Sequence, residues 1–260
     1  MTRILFLGDA VGACGRRLLS RKLWTLRKEF QADAAIVNAE NSADGNGVTP
    51  DSAEELFYAG ADVLTGGNHS LRRSEIFPLL EERGDLLRPL NLPRAVPGTG
   101  WHILTLPNGA RLLTVSLLGQ AFMDQRADSP FDALEALLTR LEGQFDLSVV
   151  DLHAESTGEK AALARAFDGR VSAVIGTHTH VQTADARVFP AGTAFISDVG
   201  MCGAVESILG CEIEGVVTRF QTGLPARFVQ ARGPACLCGV VLEADEATGK
   251  ALSLTAFQQE

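Results

Sequence analysis

RILFLGD (residues 3–9) carries a short apolar run, Arg3–Leu7, directly into Gly8-Asp9. Leu19, Leu23, Leu26 and Phe30 then recur at helical spacing, so the opening reads as strand, turn, helix. The pattern repeats. AAIVNAEN (34–41) is a second buried-strand candidate, followed by a helix start at Thr49-Pro50-Asp51, with Thr as N-cap and Pro in the first turn. Asp62–Thr65 is a third strand, and residues 74–82 read as a helix despite Pro78. Strands over 101–106 and 111–117, joined by Pro107-Asn108-Gly109, read as a hairpin. Ser129-Pro130-Phe131-Asp132 opens a helix through Leu141, and a strand (147–152), a helix (159–167) and a strand (171–175) follow. Beyond about Gln182 the pattern turns mostly β, with strands expected at 194–196, 215–220, 237–242 and 251–257. An α/β part followed by a β-rich end predicts two packed sheets covered by helices, and the tail after Glu212 is expected to complete the second sheet.

The chain has 260 residues, 46% of them hydrophobic, enough for one large core; residues 1–260 read as a single domain. Net charge is -9, which makes it a poor host for long nucleic acid while leaving room for a small anionic substrate at a locally positive site. No stretch approaches a membrane span, and the N-terminal apolar run is too short for a secretion signal. Five cysteines, an odd number, point to free thiols in a reducing compartment, hence the cytoplasm. Cys236-Leu237-Cys238 sits in an alternating strand pattern and reads as buried strand, not metal site.

The unusual polar residues fall at strand ends. Asp9 follows the first strand, Glu40 and Asn41 the second, Asn68 and His69 the third; His153 ends LSVVDLH, and His178 and His180 follow VSAVIG. In parallel α/β sheets those ends share one edge, where ligands bind, so residues remote in sequence should converge. Each motif alone could be a turn. GDAVGACG lacks the Gly-x-Gly-x-x-Gly spacing of a dinucleotide loop. His178-Thr179-His180 is the sharpest piece, because two imidazoles two residues apart reach one metal ion or two adjacent ones. Two carboxylates, two amides and three imidazoles, with no thiolate, suit Fe or Mn, with Zn a further option, and exceed what one tetrahedral ion needs. Two divalent ions bridged by one carboxylate would leave a net charge of about +2, or about +1 with a bridging hydroxide, which a phosphodiester anion neutralises; ions about 3.5–4 Å apart activate water and clamp both oxygens of an in-line displacement.

LFLGDAVGACGR, NAENSADGNGVTP, GGNHS, DLHAESTGEK, GTHTHVQTADARV and FISDVGMCG followed by ESILG together resemble the calcineurin-like metallophosphoesterases, specifically their YmdB-like bacterial branch, over positions 5 to 210. The resemblance implies a four-layer α-β-β-α sandwich with two mixed sheets. It implies one ion on Asp9, Glu40, Asn41 and His180, and a second on the bridging Glu40 with Asn68, His153 and His178. His69 would be a non-ligand that protonates the leaving oxygen. Hydrolysis of 2′,3′-cyclic nucleotides or related phosphodiesters is the implied activity. Asp9-Ala10-Val11 in place of Asp-x-His, and Glu40 as the bridge, depart from the superfamily and agree with the branch; Ser70-Leu71 after Gly-Asn-His departs from the branch. A phosphomonoesterase or protein phosphatase, and a metal-bearing regulatory module that binds a nucleotide, are the alternatives; a homo-oligomer is left open. Arg16, Arg17, Arg72, Arg73 and Lys160 read as solvated side chains, and the aromatic content, 6%, offers no evident stacking platform.

Overall fold

A computed structural model describes all residues, Met1–Glu260. The strands are β1 (Thr2–Leu7), β2 (Asp9–Ala10), β3 (Ala34–Asn38), β4 (Val63–Thr65), β5 (Trp101–Thr105), β6 (Arg111–Leu118), β7 (Leu147–His153), β8 (Ala173–Thr177), β9 (Arg187–Val188), β10 (Ala194–Ile196), β11 (Met201–Ala204), β12 (Ala235–Asp245) and β13 (Lys250–Gln259). The α-helices are α1 (Gly12–Glu29), α2 (Pro50–Tyr58), α3 (Phe77–Glu82), α4 (Pro130–Arg140), α5 (Thr157–Ala166) and α6 (Ile213–Thr222). The expected helix at residues 74–82 is split. Ser74–Ile76 is a 3₁₀ turn and α3 begins after it, because Pro78 has no N–H to donate and fits only the first turn. Elsewhere the caps form as the residues dictate. The Thr49 hydroxyl accepts from Ser52 N, Ser52 Oγ accepts from Thr49 N, and Ser129 Oγ accepts from Asp132 N.

Two mixed sheets stack face to face. The first runs β2-β11-β12-β1-β3-β4, with β13 also paired to β12; β1, β3 and β4 are parallel. The second runs β5-β6-β7-β8-β10-β9, with β6, β7, β8 and β10 parallel. Alternate residues of β1 face opposite layers. Leu5 and Leu7 pack with Leu19, Leu23 and Leu56 of α1 and α2, whereas Ile4 and Phe6 meet Leu112, Val149 and Ile175 of the other sheet. On the far face, Leu113, Val150 and Val174 pack with Leu134 and Leu163 of α4 and α5. Burial on both faces explains why these strands read as continuous apolar runs. The result is the expected four-layer α-β-β-α sandwich.

Two expectations are overturned. Residues 215–220 are not a strand but lie within α6. The β-branched Val216, Val217 and Thr218 favour a strand, yet the segment joins neither sheet and satisfies its backbone locally, ending at Gly223 (φ 69°), whose N–H donates to Arg219 O. The tail does not complete the second sheet. β12 pairs antiparallel with β1, β11 and β13, inside the first, because the apolar edge of β1 opposite β3 needs a partner. No helix is long and apolar enough to cross a membrane. All five cysteines are free, with Cys202 and Cys238 buried in the first sheet.

Candidate metal centre

The carboxyl ends of β1, β3 and β4 in one sheet and β7 and β8 in the other deliver the predicted residues to a common point. Asp9, Glu40 and His153 are wholly buried, and their donor atoms lie within 4.8 Å of one another. The remaining residues complete two groups around Glu40 Oε1. On one side the Asn41 Nδ2 amide nitrogen lies 2.8 Å from Glu40 Oε1 and 3.5 Å from Asp9 Oδ1, donating to them, and 3.1 Å from His180 Nε2. On the other, His153 Nε2 lies 3.3 Å from Glu40 Oε1, 2.9 Å from Asn68 Oδ1 and 3.1 Å from His178 Nδ1. Neither buried carboxylate has a lysine or arginine partner; their neighbours are imidazoles, an amide and backbone N–H groups. Buried charge is stable when paired or when it coordinates a metal, so the donor set fits divalent cations.

Backbone geometry aims these groups. His178 (φ 101°) and His180 (φ 65°) both occupy the left-handed region, which costs a non-glycine residue of order 1–3 kcal/mol and recurs where a site is held in a fixed shape. A Cβ at Gly67 would overlap Glu40 Oε2 and the His153 ring, which is why Asn68 and His69 are preceded by glycine. Ser70, buried, accepts from Gly67 N at 2.8 Å and closes that turn, so the departure at Ser70-Leu71 supports the loop.

A hydrogen-bonded shell lies behind the donors. His153 Nδ1 is 2.9 Å from Thr177 Oγ1, and the Thr177 hydroxyl donates to Asp151 Oδ1 at 2.7 Å. Asn38 and Thr65 donate to Asp151 Oδ2. Burial raises the Asp151 carboxyl to about 6, with His153 and these bonds opposing it. Burial alone would push Glu40 up and His153 down. Their mutual attraction and hydrogen bond outweigh this, holding Glu40 well below the usual carboxylate range and raising His153 to about 9. Burial, then the neighbouring His153, lowers His178 to about 3, while burial raises Asp9.

His69 stands at the rim. Its N–H donates to Glu40 Oε2 at 2.7 Å, and its Nδ1 is 3.0 Å from both Glu40 Oε1 and Asn41 Oδ1. Sequence reasoning missed the pair Lys160–Asp198. Lys160 is not solvated but wholly buried, with Nζ 3.0 Å from the equally buried Asp198 Oδ2, which also accepts from Thr179 N at 2.9 Å. The pair thus fixes the residue between His178 and His180. Asp198 stands in the quoted FISDVG stretch, the only signal that could have drawn attention to it.

A family model described as "YmdB-like protein" matches residues 5–257. The 2′,3′-cyclic-nucleotide 2′-phosphodiesterase of Bacillus subtilis is 42% identical over 252 residues, covering 97% of this chain and 95% of its own. Among solved structures, a novel phosphatase from Mycoplasma pneumoniae superposes with TM-score 0.93 at 36% identity, covering 99% of this chain and 93% of that one. A hypothetical protein from Thermus thermophilus superposes with TM-score 0.92 at 40% identity, covering 99% of each chain.

Proposed function

The chain belongs to the family of YmdB-like proteins, and from that premise we propose that it is a metal-dependent phosphodiesterase acting on 2′,3′-cyclic nucleotides or related diesters. The observation that carries the reading is the convergence of two four-residue donor groups on Glu40 Oε1, around buried carboxylates that no lysine or arginine neutralises. Asp9, Glu40, Asn41 and His180 hold one divalent ion; Glu40, Asn68, His153 and His178 hold the second. Fe or Mn suits these oxygen and imidazole donors, and Zn is the further option. The similarity to the Bacillus subtilis phosphodiesterase supports the substrate class.

Such a pair of ions supplies an activated water and electrostatic stabilisation of the attacking and leaving oxygens. The protein's own groups do the rest. Thr177 and Asp151 fix the His153 ring by its Nδ1, leaving Nε2 directed at Glu40 and Asn68. Glu40 and Asn41 fix His69 by its Nδ1, which leaves Nε2 to donate a proton to the departing ribose oxygen. The substrate stays anionic throughout, matched to a site whose bound cations exceed its carboxylates.

Hydrolysis of 2′,3′-cyclic AMP by metal-free protein, before and after addition of Mn²⁺ or Fe²⁺, tests this reading. Turnover that appears only with metal supports it. Turnover of p-nitrophenyl phosphate but no cyclic nucleotide would replace it with a monoesterase. Nucleotide binding without turnover of either would leave the regulatory-module reading. His69→Ala should keep its bound metal and lose about 10²–10⁴-fold in kcat; an unchanged rate would remove the assigned role of His69.

A further inference from the structure

A groove of about 820 Å³ opens beside His69 and is lined by Arg72, Arg73, Arg227 and Arg232. Four guanidiniums lining one groove are unexpected in a chain of net charge -9. Only Arg73 has an ion-pair partner, Asp44 at 3.9 Å, which is also the one carboxylate lining the groove. Arg72, Arg227 and Arg232 are exposed and unpaired. A second cavity of about 540 Å³ adjoins it, sharing Asp44, Gln230 and Arg232 and adding Arg17 and Arg21. Positive side chains therefore follow a track leading away from His69.

The wall is built into the fold. Gly12 and Gly45, both at positive φ, leave room for the Gln230 carboxamide, which a Cβ at either position would overlap. Ala231 N donates to Gly210 O at 2.9 Å, and Glu212 N to Val229 O at 2.8 Å, so the arginine-bearing segment is pinned to the loop whose Leu209 carbonyl meets His180 Nδ1. Phe228 lines the groove with nearly half its surface exposed, and the Arg219 guanidinium lies 5.3 Å from its ring centroid. Arginines interleaved with an exposed aromatic are what a single-stranded nucleic acid meets on its binding partners, the cations tracking phosphates and the ring stacking a base. A pocket for one small molecule holds about 300–1,000 Å³; two adjoining cavities of about 820 and 540 Å³ each have that size, giving room for more than one nucleotide unit.

We infer that this groove binds the nucleotides preceding the reacting phosphate, so that the preferred substrate is a short oligoribonucleotide ending in a 2′,3′-cyclic phosphate. The inference rests on the proposed phosphodiesterase activity and assigns Arg227, Arg232 and Phe228 as specificity determinants. Each internal phosphodiester meets a guanidinium, and the terminal phosphate reaches the cluster behind His69. Single-strand binding through three phosphates predicts a slope of about -2 for log affinity against log salt.

The experiment compares metal-loaded protein on an adenylate tetramer ending in a 2′,3′-cyclic phosphate, on 5′-phospho-2′,3′-cyclic AMP and on 2′,3′-cyclic AMP. A fluorescent tetramer binding to the same protein is followed by anisotropy. The tetramer should show a KM at least about tenfold below that of 2′,3′-cyclic AMP, with the steep salt dependence. The Arg227→Gln/Arg232→Gln double variant should remove that advantage and leave kcat and KM for 2′,3′-cyclic AMP unchanged. Equal KM values for tetramer and mononucleotide would overturn the inference, as would a full gain from the single 5′-phosphate. Absence of turnover on every substrate would strike the phosphodiesterase reading; salt-dependent tetramer binding that the double variant abolishes would still uphold the groove, and its absence would end both.

Discussion

Lys160→Met isolates what the buried pair with Asp198 contributes. Both residues are wholly buried, and Nζ lies 3.0 Å from Oδ2. Removing one partner of a buried pair costs about 3–5 kcal/mol, because the other charge is left uncompensated. Asp198 would keep the N–H bonds from Thr179 and Gly200, each 2.9 Å, so the lower end, about 3 kcal/mol, applies. At about 2.1 cal/mol/K of unfolding entropy per residue, that lowers Tm by about 5 °C in a chain of this size. The Lys160→Met/Asp198→Asn double variant should recover more than half of the loss, since no bare charge remains. Calorimetry on metal-free protein measures both. Because Thr179 stands between His178 and His180, Lys160→Met should also weaken metal binding by about 10–100-fold. A Tm within about 1 °C of the parent, with metal affinity unchanged, would refute the assignment of this pair as the support of the His178–His180 turn.

Metal binding should release protons. His153 in the metal-free cluster is raised to about 9, since Glu40 outweighs the effect of burial, so at pH 7 it carries a proton that an incoming ion must displace. Apparent metal affinity should therefore rise about tenfold per pH unit towards pH 9 and flatten above it; titration calorimetry in two buffers of different ionisation enthalpy reads the proton directly, and pH-independent binding from 7 to 9 would count against the cluster's charge state. Thr177→Val removes the hydrogen bonds to His153 Nδ1 and Asp151 and should cost about 10–100-fold in metal affinity while the circular dichroism spectrum stays unchanged. Gly67→Ala forces a methyl into Glu40 and His153. Overpacking of this kind costs about 1–3 kcal/mol, and elemental analysis should find fewer than two ions per chain.

The cluster of Asp9, Glu40 and His153 was legible in the sequence because these residues break strong local patterns. Asp9, Glu40 and His153 each sit at or just past the end of a mainly apolar strand, and such ends are where parallel sheets gather ligands. What escaped was tertiary. Lys160 looks like any helical lysine, and its partner Asp198 lies 38 residues on, beyond β8, β9 and β10. α6 misled because local β-propensity is decided by whether a sheet has room for the segment, and this one joins neither. The tail's place in the first sheet depends on the unpaired side of β1, which no local pattern records. The arginine track joins residues 17–21, 72–73 and 227–232, and only folding sets Phe228 among them despite an aromatic-poor composition.

The central claim is that two ions share Glu40 and act together. Metal-free protein titrated with Mn²⁺, with electron paramagnetic resonance and 2′,3′-cyclic AMP hydrolysis recorded on the same samples, tests it directly. The account predicts an exchange-coupled signal from paired ions, with turnover rising only as the second ion binds. Full activity at one ion per chain, or two uncoupled ions, would contradict it.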